Sequence, residues 1–251
     1  MSIPSVTRFP AETELDVAHT DPVGTDTTPP PHAEVWLIRH GETAWSKTGQ
    51  HTGRTDVPLT DTGREQAKAL QASLAGIAFD AVWCSPLVRA RETCALSGIL
   101  GPAGAETREY IAQADVQEWD YGIYEGRKTA DIRRSEPDWA VWESPMPDGE
   151  SLHDIAVRAH RVTDGLRKAL LVAASEKSQA TDGADGSPPA ISRIAVFSHG
   201  HFLRVLAGTW IGDARLGRHL TLDTATISVL GFDRETPAIR RWNWLPPSRQ
   251  R

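Results

Sequence analysis

Glu34-Val35-Trp36-Leu37-Ile38-Arg39-His40-Gly41 is the stretch that decides the fold of this chain. Four apolar residues in a row, Val35 to Ile38, bounded by charge, read as a short apolar strand over Glu34 to Arg39, and a His-Gly pair follows it. Two later stretches repeat the pattern. Ala81-Val82-Trp83-Cys84 runs into Ser85-Pro86-Leu87-Val88-Arg89, and Arg193-Ile194-Ala195-Val196-Phe197-Ser198 runs into His199-Gly200. Helical periodicity fills the spaces between. Thr60 to Gly76 places Ala67, Leu70 and Leu74 on one face with Thr60 or Thr62 as N-cap. Pro86 to Leu100 carries Pro near a first turn, and Leu152, Ile155, Ala159, Val162, Leu166 and Leu170 mark an amphipathic helix to about Ala173. An apolar helix follows from His201 to about Ile211, and Thr226 to Phe232 with Ile239 to Trp244 form a closing pair of strands. Strands alternating with helices predict an α/β sandwich with a mostly parallel sheet.

The chain has 251 residues, enough for one domain with a full core. Residues 1–32 hold five acids, one base and six prolines. Such a stretch buries too little apolar surface to offset its ordering entropy, so it is expected to be a disordered tail. Ser175 to Pro189, rich in Ser, Gly, Asp and Pro, is expected to be a flexible surface insertion within a catalytic domain spanning 33–247. A net charge of −6 argues against a nucleic-acid partner. No apolar run reaches the length of a membrane span and no signal peptide is visible, so the expectation is no membrane partner and a cytoplasmic location. Cys84 and Cys94 read as two reduced core thiols.

In a parallel sheet the ligand site lies beyond the carboxyl ends of the strands. Arg39-His40-Gly41, Ser85 to Arg89 and Ser198-His199-Gly200 all fall at such ends. Two histidines and two arginines on one sheet edge suit a phosphate monoester, because the guanidinium fork matches its oxygens and a neutral imidazole is a nucleophile for phosphorus. Gly41 and Gly200 are expected to clear a Cβ from the path of the phosphoryl group, and helix-start N–H groups to add donors. His51, His153, His160 and His32 read as structural. His199-x-His201 lacks further ligands at metal spacing, so no metal and no other cofactor is expected.

Leu37-Ile38-Arg39-His40-Gly41-Glu42-Thr43 resembles the RHGE[ST] signature of the histidine phosphatase superfamily, the phosphoglycerate-mutase-like fold. His51 to Thr60 resembles its TGxxDxPLT segment, Ser85 to Thr93 its SPLxRAxET helix start, and Ser198-His199-Gly200-His201 its second-histidine motif. The resemblance covers roughly Glu34 to Trp244 and implies a three-layer αβα sandwich around a mostly parallel sheet. It also implies a metal-independent phosphomonoesterase acting on a small phosphorylated substrate, with His40 as the phosphorylated nucleophile. Arg39, Arg89 and His199 would complete the phosphate pocket. Ser46, where many relatives carry Asn, would line its mouth with Thr52 and Gly53, and Gly41, Tyr121 and Gly200 join the substrate-binding candidates. Gly200 stands where some members carry an acidic residue, so the proton donor is assigned to Glu118, which matches the acid of the mutase-like branch, with Glu42 as runner-up.

Within the superfamily, residues 44–50 and 118–126 resemble sedoheptulose 1,7-bisphosphatases and broad-specificity bacterial acid phosphatases, which implies sugar phosphates as substrates. A cap over Arg127 to Ser151, with Arg133, Arg134, Trp139 and Trp142, would set substrate choice, unless the tryptophans only pack the cap on the sheet. Two other readings compete: a phosphoglycerate mutase, and a non-catalytic domain that binds phosphorylated ligands.

Overall fold

The computed structural model describes residues 32–101, 109–180 and 190–246. Six strands form one sheet: β1 (Ala33–Arg39), β2 (Ala81–Cys84), β3 (Ile111–Ala112), β4 (Ser192–Ser198), β5 (Ile227–Asp233) and β6 (Thr236–Trp244). Their spatial order is β3-β2-β4-β1-β5-β6. The first four in that order are parallel to their neighbours, and β5 and β6 complete the sheet antiparallel. Val196 lies between Leu37 and Trp83, so β1, β4 and β2 end nearly level. His40, Ser85 and His199 therefore leave the sheet side by side; the His40 N–H still donates to the Ser198 carbonyl and the Ser85 N–H to that of Phe197, both at 3.0 Å.

Among the described residues there are seven α-helices, of which α4, α6 and α7 contact the sheet most: α1 (Ala44–Thr48), α2 (Asp61–Ala69), α3 (Gln71–Leu74), α4 (Val88–Leu96), α5 (Thr129–Ile132), α6 (Leu152–Ala180) and α7 (Gly200–Trp210). Strand side chains alternate between two cores. On one face Val35, Leu37, Ile194 and Val196 pack with Ile155, Leu166 and Leu170 of α6 and with Phe202 and Leu206 of α7. On the other, Trp36, Ile38, Val82, Ala195 and Phe197 pack with Leu70, Leu74, Ala90 and Cys94. The layers are those of an αβα sandwich, each fully buried Leu or Ile contributing about 1.5–3 kcal/mol over its exposed state. Cys84 and Cys94 are both buried free thiols in the second core.

Several sequence expectations need correction. The helix expected over residues 60–76 is two helices, because the Leu70 N–H turns back to the Ala67 carbonyl at 3.2 Å and tightens the chain into a new turn. The helix expected from Pro86 runs only from Val88 to Leu96 and is stopped at Ser97, whose hydroxyl takes the Cys94 carbonyl. α6 continues to Ala180, so the first part of the expected insertion is helical; the Lys177 ammonium, 2.7 Å from both Asp80 and the Ile191 carbonyl, ties it to the sheet. Residues 181–189 and the tail up to residue 31 lie outside the described residues. Two-residue β3 was not anticipated, and β6 starts at Thr236 rather than Ile239. Trp139 is a core residue, 2% exposed, so it packs the segment down rather than lining a cap.

Candidate active site

Short tethers set the site's floor. Thr60 caps α2 by accepting the Gly63 N–H and donates to Glu42, which makes Glu42 a support for this turn. Leu87, at the N-cap of α4, gives no side-chain bond; Asp56 Oδ1 instead accepts the Val88 N–H at 2.7 Å. The acidic residue of the TGxxDxPLT segment is thus the cap of the helix that carries Arg89. Thr93 explains the end of the other motif: its hydroxyl donates to the Arg89 carbonyl and accepts the Gly41 N–H, joining α4 to the loop after β1.

Gly41 corrects the expected reason for its lack of a side chain. A Cβ there would run into the Gly63 carbonyl, and one on Gly63 would run into Glu42, so two backbones touch where glycines face each other. Gly200 does face the site. Its missing Cβ leaves room for the Arg39 guanidinium, which would lie 3.2 Å from that atom.

His40 is 4% exposed, and its Nδ1 lies 2.7 Å from the Gly41 carbonyl. A carbonyl only accepts, so Nδ1 carries the proton and Nε2 the free lone pair. Burial, then Arg89 and Arg39, hold the imidazole well below its usual range, so it is neutral at physiological pH. The ring centroid of His199 is 5.2 Å from that of His40. Arginine only donates, so the 3.1 Å bond from Arg89 Nε to His199 Nδ1 fixes the other tautomer: Nε2 carries the proton and donates to Ser85 Oγ at 2.7 Å. Burial, with Arg89 next, also keeps His199 far below the usual histidine range. Of the two states open at the sequence level, the neutral donor is the one present. Both ring nitrogens of His199 are engaged, the Nδ1 lone pair by Arg89 and the Nε2 proton by Ser85.

Arg89 is fully buried and largely committed. Besides His199 it donates to the carbonyls of Thr55, Thr52 and Gly53, so one of its five N–H groups, on Nη1, is uncommitted among the described residues. Thr52 and Gly53 accordingly meet the site through their carbonyls, and Glu125 holds their loop by accepting the Arg54 and Thr55 N–H groups. Arg39 donates to the Leu222 carbonyl through Nη1, while its buried Nε has no partner among the described residues. An orphaned guanidinium N–H near a neutral imidazole is a donor lacking its acceptor.

Glu118, 5% exposed, enters from the loop before the Gly122–Tyr124 turn. Its Oε1 accepts the N–H groups of Trp119 at 2.9 Å and Phe202 at 2.8 Å, and Oε2 that of His201 at 3.0 Å. His199 supplies no side-chain cap for α7, so Glu118 caps that helix from a distant segment, leaving Oε2 the oxygen with room for a proton. Its charge acts on both Arg39 and Arg89.

Tyr121 is buried, its hydroxyl 2.6 Å from His201 Nδ1. Burial raises the phenol well above its usual range and, with Arg204, depresses His201, so the phenol donates and His201 keeps its proton on Nε2. His51 packs at 4.9 Å from the Tyr121 ring, bonds Thr129 and is depressed by burial to about 4. His201 was legible only as half of a weak metal pair; its tie to Tyr121, eighty positions away, leaves no local trace. Ser46 is drawn into a capping box, accepting the Thr43 N–H and donating to the Thr43 carbonyl, so its proton is spent on the start of α1. Arg133 and Arg134 are exposed, and Arg134 pairs with Asp131. Among the described residues no helix is long and apolar enough to cross a membrane, and no three His, Cys, Asp or Glu are grouped to hold a metal.

The sequence profile of the histidine phosphatase superfamily (branch 1) matches residues 35–245. An acid phosphatase of Mycobacterium tuberculosis is 39% identical over 201 residues, 78% of this chain and 85% of that protein. A sedoheptulose 1,7-bisphosphatase of Saccharomyces cerevisiae is 34% identical over 196 residues, 70% of this chain and 66% of its own length. The solved structure of an open reading frame product from Mycobacterium tuberculosis superposes with a TM-score of 0.68 at 33% identity, covering 85% of this chain and 98% of that one.

Proposed function

This chain belongs to the histidine phosphatase superfamily, and on that premise we propose that it is a phosphomonoesterase that hydrolyses small phosphorylated metabolites, sugar phosphates in particular, through a phosphohistidine on His40. The observation that carries the reading is the tautomer of His40. A neutral imidazole with its proton fixed on Nδ1 presents the Nε2 lone pair, flanked by the orphaned Arg39 Nε–H and the spare Arg89 N–H.

Nε2 attacks phosphorus in line, and the bond from phosphorus to the ester oxygen breaks. Little covalent work falls to the protein beyond this; most of the barrier is lowered by holding charge on the equatorial oxygens. Arg39, Arg89 and the His199 Nε2–H, once it turns from Ser85, are the donors for those oxygens. A substrate entering as its monoanion hands its proton to Glu118 Oε2, and the departing alkoxide takes that proton. The carboxylate so formed then accepts a proton from the water that attacks the phosphohistidine, returning His40 and releasing phosphate. We place this chemistry in a single domain spanning 33–247. The names of the acid phosphatase and bisphosphatase relatives support a hydrolase and support sugar phosphates among its substrates. A panel of sugar phosphates, phosphoglycerates and aryl phosphates, assayed without added metal, tests the reading. Release of inorganic phosphate from sugar phosphates is expected; isomerisation of phosphoglycerates without phosphate release would replace hydrolysis by mutase chemistry.

A further inference from the structure

We propose that Arg158 and Glu150 form a positioning clamp that sets where the Glu118 carboxylate stands, a role that rests on Glu118 being the proton donor. Neither residue belongs to the phosphate pocket. Arg158, on the second turn of α6, is 6% exposed and donates to the carbonyls of Asp115 at 2.7 Å, Gln117 at 2.8 Å and Glu118 at 3.3 Å. Its Nε and Nη2 also reach both oxygens of Glu150, at 2.9 and 2.7 Å. Glu150 closes the circuit on the other side of the acid: its Oε2 accepts the Asp120 N–H at 3.1 Å, and its carbonyl accepts the Trp119 indole at 2.7 Å. Backbone or side-chain groups of residues 115, 117, 118, 119 and 120 are thus held by one ion pair. The guanidinium also lies 4.8 Å from the ring of Phe202, whose N–H binds Glu118 Oε1. The same cation therefore touches both the loop that delivers Glu118 and the helix end that receives it.

Simple packing would be met by apolar residues at this site, since a buried ion pair is often no more stabilising than a hydrophobic substitute. What a planar five-donor fork adds is a fixed geometry between three carbonyls and a carboxylate, which a point charge cannot reproduce. The loops leave no slack to compensate. A Cβ on Gly149 would run into the Asp120 carbonyl and one on Gly122 into that of Pro147, so residues 120–122 and 147–149 lie back to back. A shift of the clamp passes directly to Glu118.

Kinetics with two leaving groups separate positioning from stability. Arg158→Lys keeps the charge and loses the fork; Glu150→Gln keeps the volume and loses the charge, and thermal unfolding checks that both are folded. Each is expected to lower kcat/KM, which reports only the step that expels the alcohol, about tenfold more on glycerol 2-phosphate than on p-nitrophenyl phosphate, because in that step only the alkoxide needs a well-placed proton. Glu118→Gln should show the same selectivity, larger. In the double variant Glu118→Gln with Arg158→Lys the selectivity should not grow beyond that of Glu118→Gln, since nothing is left to position. Equal losses on both esters in Arg158→Lys, or additive selectivity in the double variant, overturn the clamp while leaving the proton-donor reading intact. A Glu118→Gln variant that is itself unselective overturns both.

Discussion

Replacing Gly41 by Ala strikes the junction between the nucleophile and its support. The new Cβ would meet the Gly63 carbonyl oxygen and lie 2.9 Å from the carbonyl carbon, where ordinary contact begins at 3.4 Å. Both partners are backbone, so neither can rotate away; to free the carbonyl oxygen, the closer of the two atoms, the loop after β1 and the first turn of α2 must part by about 1 Å, which is overpacking of the kind that costs about 1–3 kcal/mol. Gly41 supplies the carbonyl that fixes the His40 tautomer and the N–H that binds Thr93, so the displacement falls on the nucleophile and on α4 together. A misplacement approaching 1 Å lowers catalysis by roughly 10²-fold. We expect kcat on p-nitrophenyl phosphate to fall by about that factor, with a Tm lower by about 2–4 °C for each kcal/mol lost. Unchanged Tm and kcat would refute the packing account. A raised KM at unchanged Tm would instead restore the view that Gly41 clears a path for the phosphoryl group.

Glu118→Gln should lower kcat/KM about 10²–10³-fold on alkyl phosphates and tenfold or less on aryl phosphates; it also sets an amide NH₂ against the His201 or Phe202 N–H, so denaturant unfolding should show a loss of about 1.5–3 kcal/mol. His40 and His199 are depressed in the folded state, so the unfolded chain gains protons first as pH falls below about 6.5. Stability should therefore be highest above that pH and decline below it, by at most about 1.4 kcal/mol per histidine per pH unit, and a flat urea-unfolding profile between pH 7 and 5 would contradict neutral buried histidines. Chelators should leave hydrolysis of p-nitrophenyl phosphate unchanged, because Arg39 and Arg89 are assigned the charge neutralisation a metal would give; loss in EDTA reversed by a divalent ion would refute that assignment.

The strands and the residues at their carboxyl ends were legible because both are written locally. Val35 to Ile38, Ala81 to Cys84 and Ile194 to Phe197 are apolar runs that only a buried strand uses well, and His40, Ser85 and His199 lie within two residues of their ends. Residues whose work is done on backbone atoms left no such record. Arg158 meets three carbonyls about forty positions upstream, and Asp56 caps a helix thirty-two positions on. Glycines misled for a related reason, since their absent side chains say that something is close without saying what. At Gly41 it is Gly63; at Gly200 it is Arg39. α6 outran its expected end because polar composition near Ser175 suggests a loop, while Lys177 finds Asp80 and the start of β4.

In the proposed mechanism the phosphoryl group passes through one nitrogen. Rapid acid-free quenching during turnover of a 32P-labelled ester, followed by peptide mapping and 31P NMR, measures it directly. The expected result is an alkali-stable, acid-labile label on Nε2 of His40 that is absent from His40→Ala, which should no longer hydrolyse any ester. A label on Nδ1 or on another residue, or turnover that persists in His40→Ala, would rule out transfer through Nε2 of His40.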